Sequence, residues 1–580
     1  MTQNGSRVAY FSMEVALNPA MPTYSGGLGI LAGDTLRSAA DLGVHMVAVS
    51  LLHRKGYFRQ KVDEQGHQFE ESAPWSPEQF LELMKPVVMV SIAGREVRVR
   101  AWRYQIEGIT GHIVPVYLLD TSLAENTAWD QTLTDSLYGG DTYYRLCQEA
   151  ILGIGGAEIL PKLGHDHIGS YHMNEGHSAL LGVALVEQCL GTRPLRSAAA
   201  EDIFAARHKI VFTTHTPVPA GHDQFPMDMV REILGEDRAW AVERTGACPD
   251  GSLNMTLLAL FSSRYINGVA MRHGEVSRSM FPQYPIRAIT NGVHAGTWTT
   301  APFRQLYDRH IPEWKHDNLY LRYALGIPLE EIREAHQEAK KTLVAEVQRR
   351  TGQVLDPNVM TIGFARRAAT YKRGDLIFRD RDRLRWIAST VGGLQIVFGG
   401  KAHPRDGGGK ELIRRITDHA RSLHDQIRVV YVEDFDWQWA PLLYSGVDLW
   451  LNTPKRPQEA SGTSGMKAAL NGVPSLSILD GWWIEGCLEG VTGWGFGDRP
   501  GLADDEAYEA GSLYHKLEHV IVPMFYSNPD EYARVMRGAI AANGSFFNTH
   551  RMVSQYLDNA WFRDDERELA EPEPALVRTA

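Results

Sequence analysis

VAYFSMEVALNPAMPTYSGGLGILAGDTLRSAADLGVHMVAVSLL, residues 8–52, decides how the chain folds. VAYFSMEV (8–15) reads as a strand, PTYSGGLGILAGD (22–34) as a glycine-rich loop, LRSAADLG (36–43) as a helix that Gly43 ends, and VHMVAVSLL (44–52) as a second strand. The same order recurs. HKIVFTTHTPV (208–218), PIRAITNGVH (285–294), VMTIGFARR (359–367), LQIVFGGKAHP (394–404), IRVVYVEDF (427–435) and VDLWLNTP (447–454) predict further strands separated by helical segments. Short apolar strands alternating with helices imply an α/β fold of doubly wound, Rossmann-like parallel sheets covered on both faces. Such sheets bind ligands beyond the carboxyl ends of their strands, so the residues there matter most.

A chain of 580 residues is too long for one hydrophobic core, and large α/β units reduce the expectation to two. Between the two strand series, PLEEIREAHQEAKKTLVAEVQRRTG (328–352) predicts a long helix with Leu329, Ile332, Ala335, Ala339, Leu343 and Val347 on one stripe and Gly352 as its stop. The expected division is a first domain over 1–295, a second over 296–560, and a disordered tail over 561–580, where RDDERELAEPEPALVRTA is charged, contains proline and lacks apolar periodicity. A formal charge of −11 gives no global basic field, which argues against nucleic-acid binding but leaves room for a local basic pocket. Cys147, Cys189, Cys248 and Cys487 form no CxxC or zinc pattern, so they are expected to be buried free thiols in a reducing compartment, with no metal site. The N-terminus has no leader pattern, and no apolar run approaches the roughly 20 residues that span a bilayer. The expectation is a soluble cytoplasmic protein without a membrane partner.

Four stretches carry candidate chemistry. SGGLG (25–29) can bring backbone N–H groups close to a phosphate, although a tight turn explains it equally well. FARRAATYKRGD (364–375) gathers Arg366, Arg367, Lys372 and Arg373 after a strand, where a solvated basic face is the ordinary alternative. FTTHTPVPAGHD (212–223) sets His215 at a strand end, a position at which most histidines are structural. EASGTSGMKAALNG (459–472) places Lys467 behind a Ser/Gly/Thr loop at a helix start, which favours an anion. Lys467 is then either a point charge for phosphate or an amine that bonds a carbonyl cofactor. It does not complete a P-loop, because Ala468 follows it.

The motifs YSGGLG (24–29), MNEGHSA (173–179), TTHTPVPAGH (213–222), TNGVHA (290–295), RRAATYKR (366–373) and EASGTSGMKAALNG (459–472), in the family's order within a match that runs from about residue 8 to about residue 500, resemble the α-glucan phosphorylase family, and its short bacterial members in particular. The resemblance implies a GT-B type arrangement of two Rossmann-like domains facing a central cleft. It implies pyridoxal 5'-phosphate on Lys467, and reversible phosphorolysis of glycogen or maltodextrin at the non-reducing end to give glucose 1-phosphate with retention. On matching positions, Thr463 and Arg366 would hold the cofactor phosphate, and Arg367, Lys372 and the backbone of Gly27 the substrate phosphate. Gly27 and Lys372 would thereby lie close to both phosphates. Glu459, Ser461 and Gly462 would bind sugar hydroxyls with Asn291, and Gly26 and His177 belong to the same substrate set. The backbone carbonyl of His215 would face the reacting carbon. Arg367, Lys372, His215 and Glu459 are the candidate catalytic residues, and Asp141, in the stretch 109–141, is a candidate gate residue.

The sequence departs from the long eukaryotic members, which read RIHEYKR and GNMK where this chain has RRAATYKR and SGMK. Neither change removes charge from the phosphate site. The chain starts almost at the strand before SGGLG, so the phosphorylation and nucleotide control of animal members is expected to be absent, and a homodimer is open. Glu459 and Lys467 stand at the spacing of the E-x7-E pair of retaining nucleotide-sugar glycosyltransferases, with lysine in place of the second glutamate. That charge reversal disfavours a nucleotide donor. A glycosyltransferase with another donor, a silent glucan-binding protein and a pyridoxal enzyme of amino-acid metabolism are the alternatives.

Overall fold

The computed structural model describes residues 7–497 and 505–562. The chain divides into two compact units, one formed by residues up to 57, 72–289 and from 552 on, the other by 58–71 and 290–551.

The first unit is built on a nine-stranded sheet. Its strands are β1 (Arg7–Ser12), β2 (Met46–Leu51), β3 (Glu82–Ile92), β4 (Arg95–Glu107), β5 (Ile113–Asp120), β6 (Ile168–Asn174), β7 (Ile210–Thr213), β8 (Tyr265–Gly268) and β9 (Ile286–Ala288). They lie in the order β9-β8-β7-β6-β1-β2-β5-β4-β3. All neighbouring pairs are parallel except β3–β4 and β4–β5, which form an antiparallel extension. The parallel strands run outward from β1 to β5, then return to β6 on the other side of β1, which is the doubly wound order with its switch point between β1 and β6. Every residue of β2 is buried, as expected with helices on both faces, whereas β3 alternates buried and exposed positions towards its end. In β4, REVRVRAWRYQIE, charged and apolar residues alternate, which is why that strand does not stand out as an apolar run. Successive residues of β1 feed opposite layers, Ala9 and Phe11 one and Val8 and Tyr10 the other.

The second layer is completed from far along the chain. Met552, Val553, Tyr556 and Trp561 are buried in it, Tyr556 and Trp561 stack at 5.2 Å, and the Tyr556 hydroxyl lies 3.0 Å from Thr213 Oγ1. Residues 552–560 therefore return to the first unit instead of closing the second, and the apolar side chains of Met552, Val553, Tyr556 and Ala560 supply the reason. The charged stretch from Arg563 lies outside the described residues.

The second unit carries a six-stranded, wholly parallel sheet of β10 (Met360–Ala365), β11 (Leu394–Gly399), β12 (Arg428–Val432), β13 (Leu449–Asn452), β14 (Ser475–Ile478) and β15 (Gly493–Phe496), in the order β12-β11-β10-β13-β14-β15. The switch point here falls between β10 and β13. A hairpin, Arg59–Val62 with Gln68–Glu71, belongs to this unit because two buried glutamines anchor it: Gln60 Nε2 donates to the Gly400 carbonyl and Gln68 Nε2 to that of Ala402, each at 2.9 Å.

The first helix, α1, spans Gly27–Asp41 and so begins inside the stretch read as a loop. Glycine at the start of a helix is a poor signal on its own, but two of these glycines are forced by packing: a Cβ on Gly33 would lie 2.1 Å from the Ala16 carbonyl oxygen and one on Gly29 2.7 Å from Glu14. The helix α2 follows at Thr142–Ala150. The long helix, α3, spans Leu329–Thr351 and ends at Gly352 in the left-handed conformation, with Ile332, Ala335, Ala339, Leu343 and Val347 buried. His336 and Lys340 share that buried stripe because both pair with Asp448, at 2.8 and 2.6 Å. All four cysteines are free thiols; Cys147 is buried, Cys248 and Cys487 are half-buried, and Cys189 is exposed, contrary to the expectation for that residue. Among the described residues no helix is long and apolar enough to cross a membrane.

Candidate active site

In the second unit, the residues of interest leave the carboxyl ends of β10 and β13, on the two sides of the switch point. Arg366 and Arg367 directly follow β10, and a short turn, Thr370–Lys372, then sets Lys372 inward. Glu459 lies in the loop after β13. Its carboxylate is buried and bridges both cations: Oε2 lies 2.7 Å from Arg366 Nη2 and 2.7 Å from Lys372 Nζ, and Oε1 is 2.8 Å from the same amine. Burial pushes the Glu459 carboxyl up, but Arg366 and Lys372 together bring it below the usual carboxylate value. The basic run is therefore no solvated face, since Lys372 and Arg373 are buried and only Arg367 of the four is exposed.

Arg373 joins the two loops. Its Nε donates to the Thr453 carbonyl at 3.0 Å and its Nη2 to that of Pro454 at 2.8 Å, while Thr453 Oγ1 donates back to the Lys372 and Arg373 carbonyls. Glu509, fully buried, closes the arrangement with ion pairs to Arg373 at 2.6 Å and Arg456 at 3.3 Å. Asp480 fixes the backbone at Glu459, accepting its N–H at 2.9 Å.

Past Glu459, Gly462 takes a left-handed conformation (φ 91°), and Thr463 leads into α4 (Ser464–Ala469) without spending its side chain on a capping bond. Lys467 is buried on α4, with its amine 4.0 Å from the Trp298 ring centre and 5.5 Å from that of Tyr444. Arg366 Nη1, Ser461 Oγ and Asn291 Oδ1 are buried polar atoms without a hydrogen-bond partner in the protein. A buried amine against flat aromatic faces, together with an unused guanidinium donor on the same unit, fits the lysine-tethered, phosphate-bearing cofactor implied by the sequence.

The first unit has its own constellation at the β1/β6 switch point. Glu14, just past β1, is fully buried; its Oε2 accepts the N–H groups of Ser25 at 2.6 Å and Gly26 at 3.2 Å, and its Oε1 accepts the Tyr138 hydroxyl at 2.8 Å. Gly26 thus gives its N–H to the protein. Gly27 differs from its neighbours, because a Cβ there would meet nothing within 4 Å, so packing does not explain the glycine. Glu175, past β6, has φ 75°, unusual for a side chain, and accepts the His215 N–H and the Thr216 hydroxyl, both at 2.9 Å. His215 Nε2 lies 2.6 Å from Asn174 Oδ1, and burial, reinforced by neighbouring histidines, lowers its pKa to about 3. His177 is likewise lowered to about 3, by burial and Arg145, against the pull of Asp223 3.5 Å away. Arg145 on α2 pairs with Asp223 at 2.9 Å and Glu149 at 3.0 Å and lies over the Tyr138 ring at 4.6 Å. Burial and the Asp223 charge push Glu149 well above the carboxylate range. Asp141, the expected gate residue, caps α2 by accepting the Tyr144 N–H at 2.9 Å.

Residues 237–491 match the carbohydrate phosphorylase family. Over 95% of its length the chain is 38% identical to the maltodextrin phosphorylase of Thermococcus litoralis, covering 70% of that protein, and 34% identical to the glycogen phosphorylase of Aquifex aeolicus, covering 85% of it. The glycogen phosphorylase of Mycobacterium tuberculosis is 36% identical over the same share of this chain, with 70% of its own length covered. The chain belongs to the carbohydrate phosphorylase family.

Within this phosphorylase, Arg366, Lys372, Glu459 and Lys467 all lie in the family-matched region, and the ion pairs join the first three into one cluster. Several residues of the two constellations escaped the sequence reading. Glu14 and Glu175 lie within quoted stretches, two residues and one residue past a strand end, which is the signal that could have found them. Arg145, Trp298, Tyr444, Asp480 and Glu509 come from elements distant in sequence, and nothing local marks them.

Proposed function

We propose that this phosphorylase transfers the terminal glucosyl group of an α-1,4-glucan, glycogen or maltodextrin, from the non-reducing end to inorganic phosphate, reversibly, giving glucose 1-phosphate with retention. The observation that carries the reading is the convergence of Arg366 and Lys372 on one buried carboxylate at the β10/β13 switch point, on the loop that goes on into the Lys467 helix. The relatives named maltodextrin phosphorylase and glycogen phosphorylase support it.

Pyridoxal phosphate, when bound, supplies a phosphate monoester whose second pKa of about 6 allows proton exchange near neutral pH. Lys467 would tether it, with Arg366 and Thr463 at its phosphate group. Lys372 offsets the repulsion between two phosphates, and its burial makes that charge count for more than it would in water. Arg367 and the first turn of α1 at Gly27 hold the substrate phosphate, while Asn291, Ser461, Gly462 and Glu459 hold sugar hydroxyls. The carbonyl of His215 faces the reacting carbon. Its ring stays neutral down to pH about 3, so no imidazolium opposes positive charge developing on that carbon. Phosphorolysis also requires water to be excluded from the reacting carbon, and the stretch ending at Asp141 is the gate in this reading. We place the protein in the cytoplasm, as a homodimer.

Purified protein with pyridoxal phosphate is expected to form glucose 1-phosphate from maltooligosaccharides only when inorganic phosphate is present. Product formation independent of phosphate, or none on any α-1,4-glucan, would overturn the reading.

A further inference from the structure

We propose that Glu459 is a displaceable counter-ion: a phosphate dianion takes Arg366 and Lys372 from it, and the freed carboxylate turns to the sugar. The identity of the dianion as the cofactor's phosphate group rests on the proposed function. The exchange itself rests on the geometry of the second unit.

Both carboxylate oxygens of Glu459 are committed to the two cations, so in this arrangement neither is left to orient a sugar hydroxyl. The carboxylate still leaves the cations incompletely served, because Arg366 Nη1 is buried and has no acceptor. A carboxylate presents two oxygens and one charge. A phosphate monoester presents three terminal oxygens and up to two charges, which matches one guanidinium and one ammonium in both number and geometry. Two cations with Glu459 carry one net positive charge, whereas the same cations with a dianion are neutral.

The surroundings allow the side chain to leave without moving the loop. The Glu459 backbone is pinned by Asp480, so the motion is a side-chain rotation. Space beside that side chain is kept by Gly462, where a Cβ would lie 3.4 Å from Glu459 Cγ and 3.5 Å from Cδ. Ser461 Oγ, two residues along, is a second buried polar atom without a protein partner. Ordered occupancy follows: phosphate on the cations releases Glu459, and sugar binding strengthens once it is released.

The test uses the full-length chain stripped of cofactor. Binding of pyridoxal phosphate, of pyridoxal without the phosphate, and of inorganic phosphate is measured for the unaltered protein and for Glu459→Gln and Glu459→Asp. Losing hydrogen-bonded ionic competition of this kind is worth about tenfold or more in affinity. Glu459→Gln is therefore expected to bind pyridoxal phosphate and inorganic phosphate at least about tenfold more tightly, with Glu459→Asp in between and pyridoxal unchanged. Unchanged or weaker binding of the two phosphates in Glu459→Gln would overturn the proposal, because Glu459 would then be holding the cations in place for them. If Glu459→Gln does not fold, the unaltered protein decides: loading pyridoxal phosphate must tighten maltopentaose binding in calorimetry, and equal affinity before and after loading refutes the exchange. Failure of the unaltered chain to retain pyridoxal phosphate on Lys467 would overturn the cofactor reading instead.

Discussion

Glu509→Ala should loosen the active-site loops from a distance. The Glu509 carboxylate is fully buried and neutralises Arg373, whose guanidinium also donates to the Thr453 and Pro454 carbonyls. Removing one partner of a buried ion pair leaves an uncompensated charge and costs about 3–5 kcal/mol. Arg373 keeps two carbonyl acceptors, and Arg456 is exposed enough to recruit water, so the lower end, about 3 kcal/mol, applies. For a unit of this size each kcal/mol moves the melting temperature by about 2–4 °C, which gives a fall of about 6–12 °C. Scanning calorimetry should show this in the transition of the second unit, with the first unit's transition unmoved. Arg373 fastens the loop of Lys372 to the loop of Glu459, so the KM for phosphate in glucose 1-phosphate formation should rise more than kcat falls. Adding Arg373→Met to Glu509→Leu should restore much of the melting temperature, because an apolar pair removes the stranded charge, but not the KM. A Glu509→Ala protein with both the transition and the phosphate KM unchanged would refute the assignment of this pair as the fastening between the loops.

Lys467→Ala should lose pyridoxal absorbance and nearly all activity, while Arg367→Ala keeps the absorbance and shows a raised KM for phosphate. Gly33→Ala should destabilise the first unit by about 1–3 kcal/mol and so lower its melting temperature, because its Cβ would lie 2.1 Å from a backbone oxygen. Gly27→Ala should melt like the unaltered protein, since nothing crowds its Cβ, yet use phosphate less well; circular dichroism melts and phosphate saturation curves check both. His177 and His215 have folded pKa values of about 3 against about 6.5 unfolded, so the unfolded chain binds the extra protons between those pH values. Stability of the first unit should therefore fall as pH drops from about 6.5 towards 3, and His177→Gln should flatten that slope in thermal melts at successive pH values.

How much of this could be read from the sequence follows from how local each cause is. The parallel strands β1, β2, β10, β11 and β12 are continuous apolar runs because helices cover both faces, and such runs survive inspection of a single sequence. β4 carries alternating charges, as in REVRVRAWRYQIE, and its pairing with β3 and β5 decides it more than its own composition does. The start of α1 at Gly27 was hidden for a similar reason: Glu14, eleven residues before Ser25, accepts the N–H groups that let the chain enter the helix. At the site, Lys467, Arg366 and Lys372 lie in short motifs and are legible. The partners that set their electrostatics, Glu459 for the cations and Trp298 for the amine, are joined only by the fold.

The two switch points share one physical solution to a problem that any anion-binding site faces before its anion arrives. Open N–H groups at a helix start and buried cations behind a strand are costly to leave unpaired, and in the first unit Glu14 sits on the N–H groups while in the second Glu459 sits on the cations. The two carboxylates are not equivalent. Glu14 serves Ser25 and Gly26 and also anchors Tyr138, but it leaves the open position at Gly27 to one side, so a phosphate can approach α1 without evicting it. Glu459 occupies the cations themselves, so a phosphate cannot reach both Arg366 and Lys372 unless it moves. A fixed carboxylate in one unit and a displaceable one in the other predict opposite responses to charge removal: Glu14→Gln should disorder the α1 entry and weaken phosphate binding, whereas Glu459→Gln should strengthen it. Calorimetric titration of both variants with inorganic phosphate separates the two roles, and a change of the same sign in both would show that a single general charge effect accounts for them.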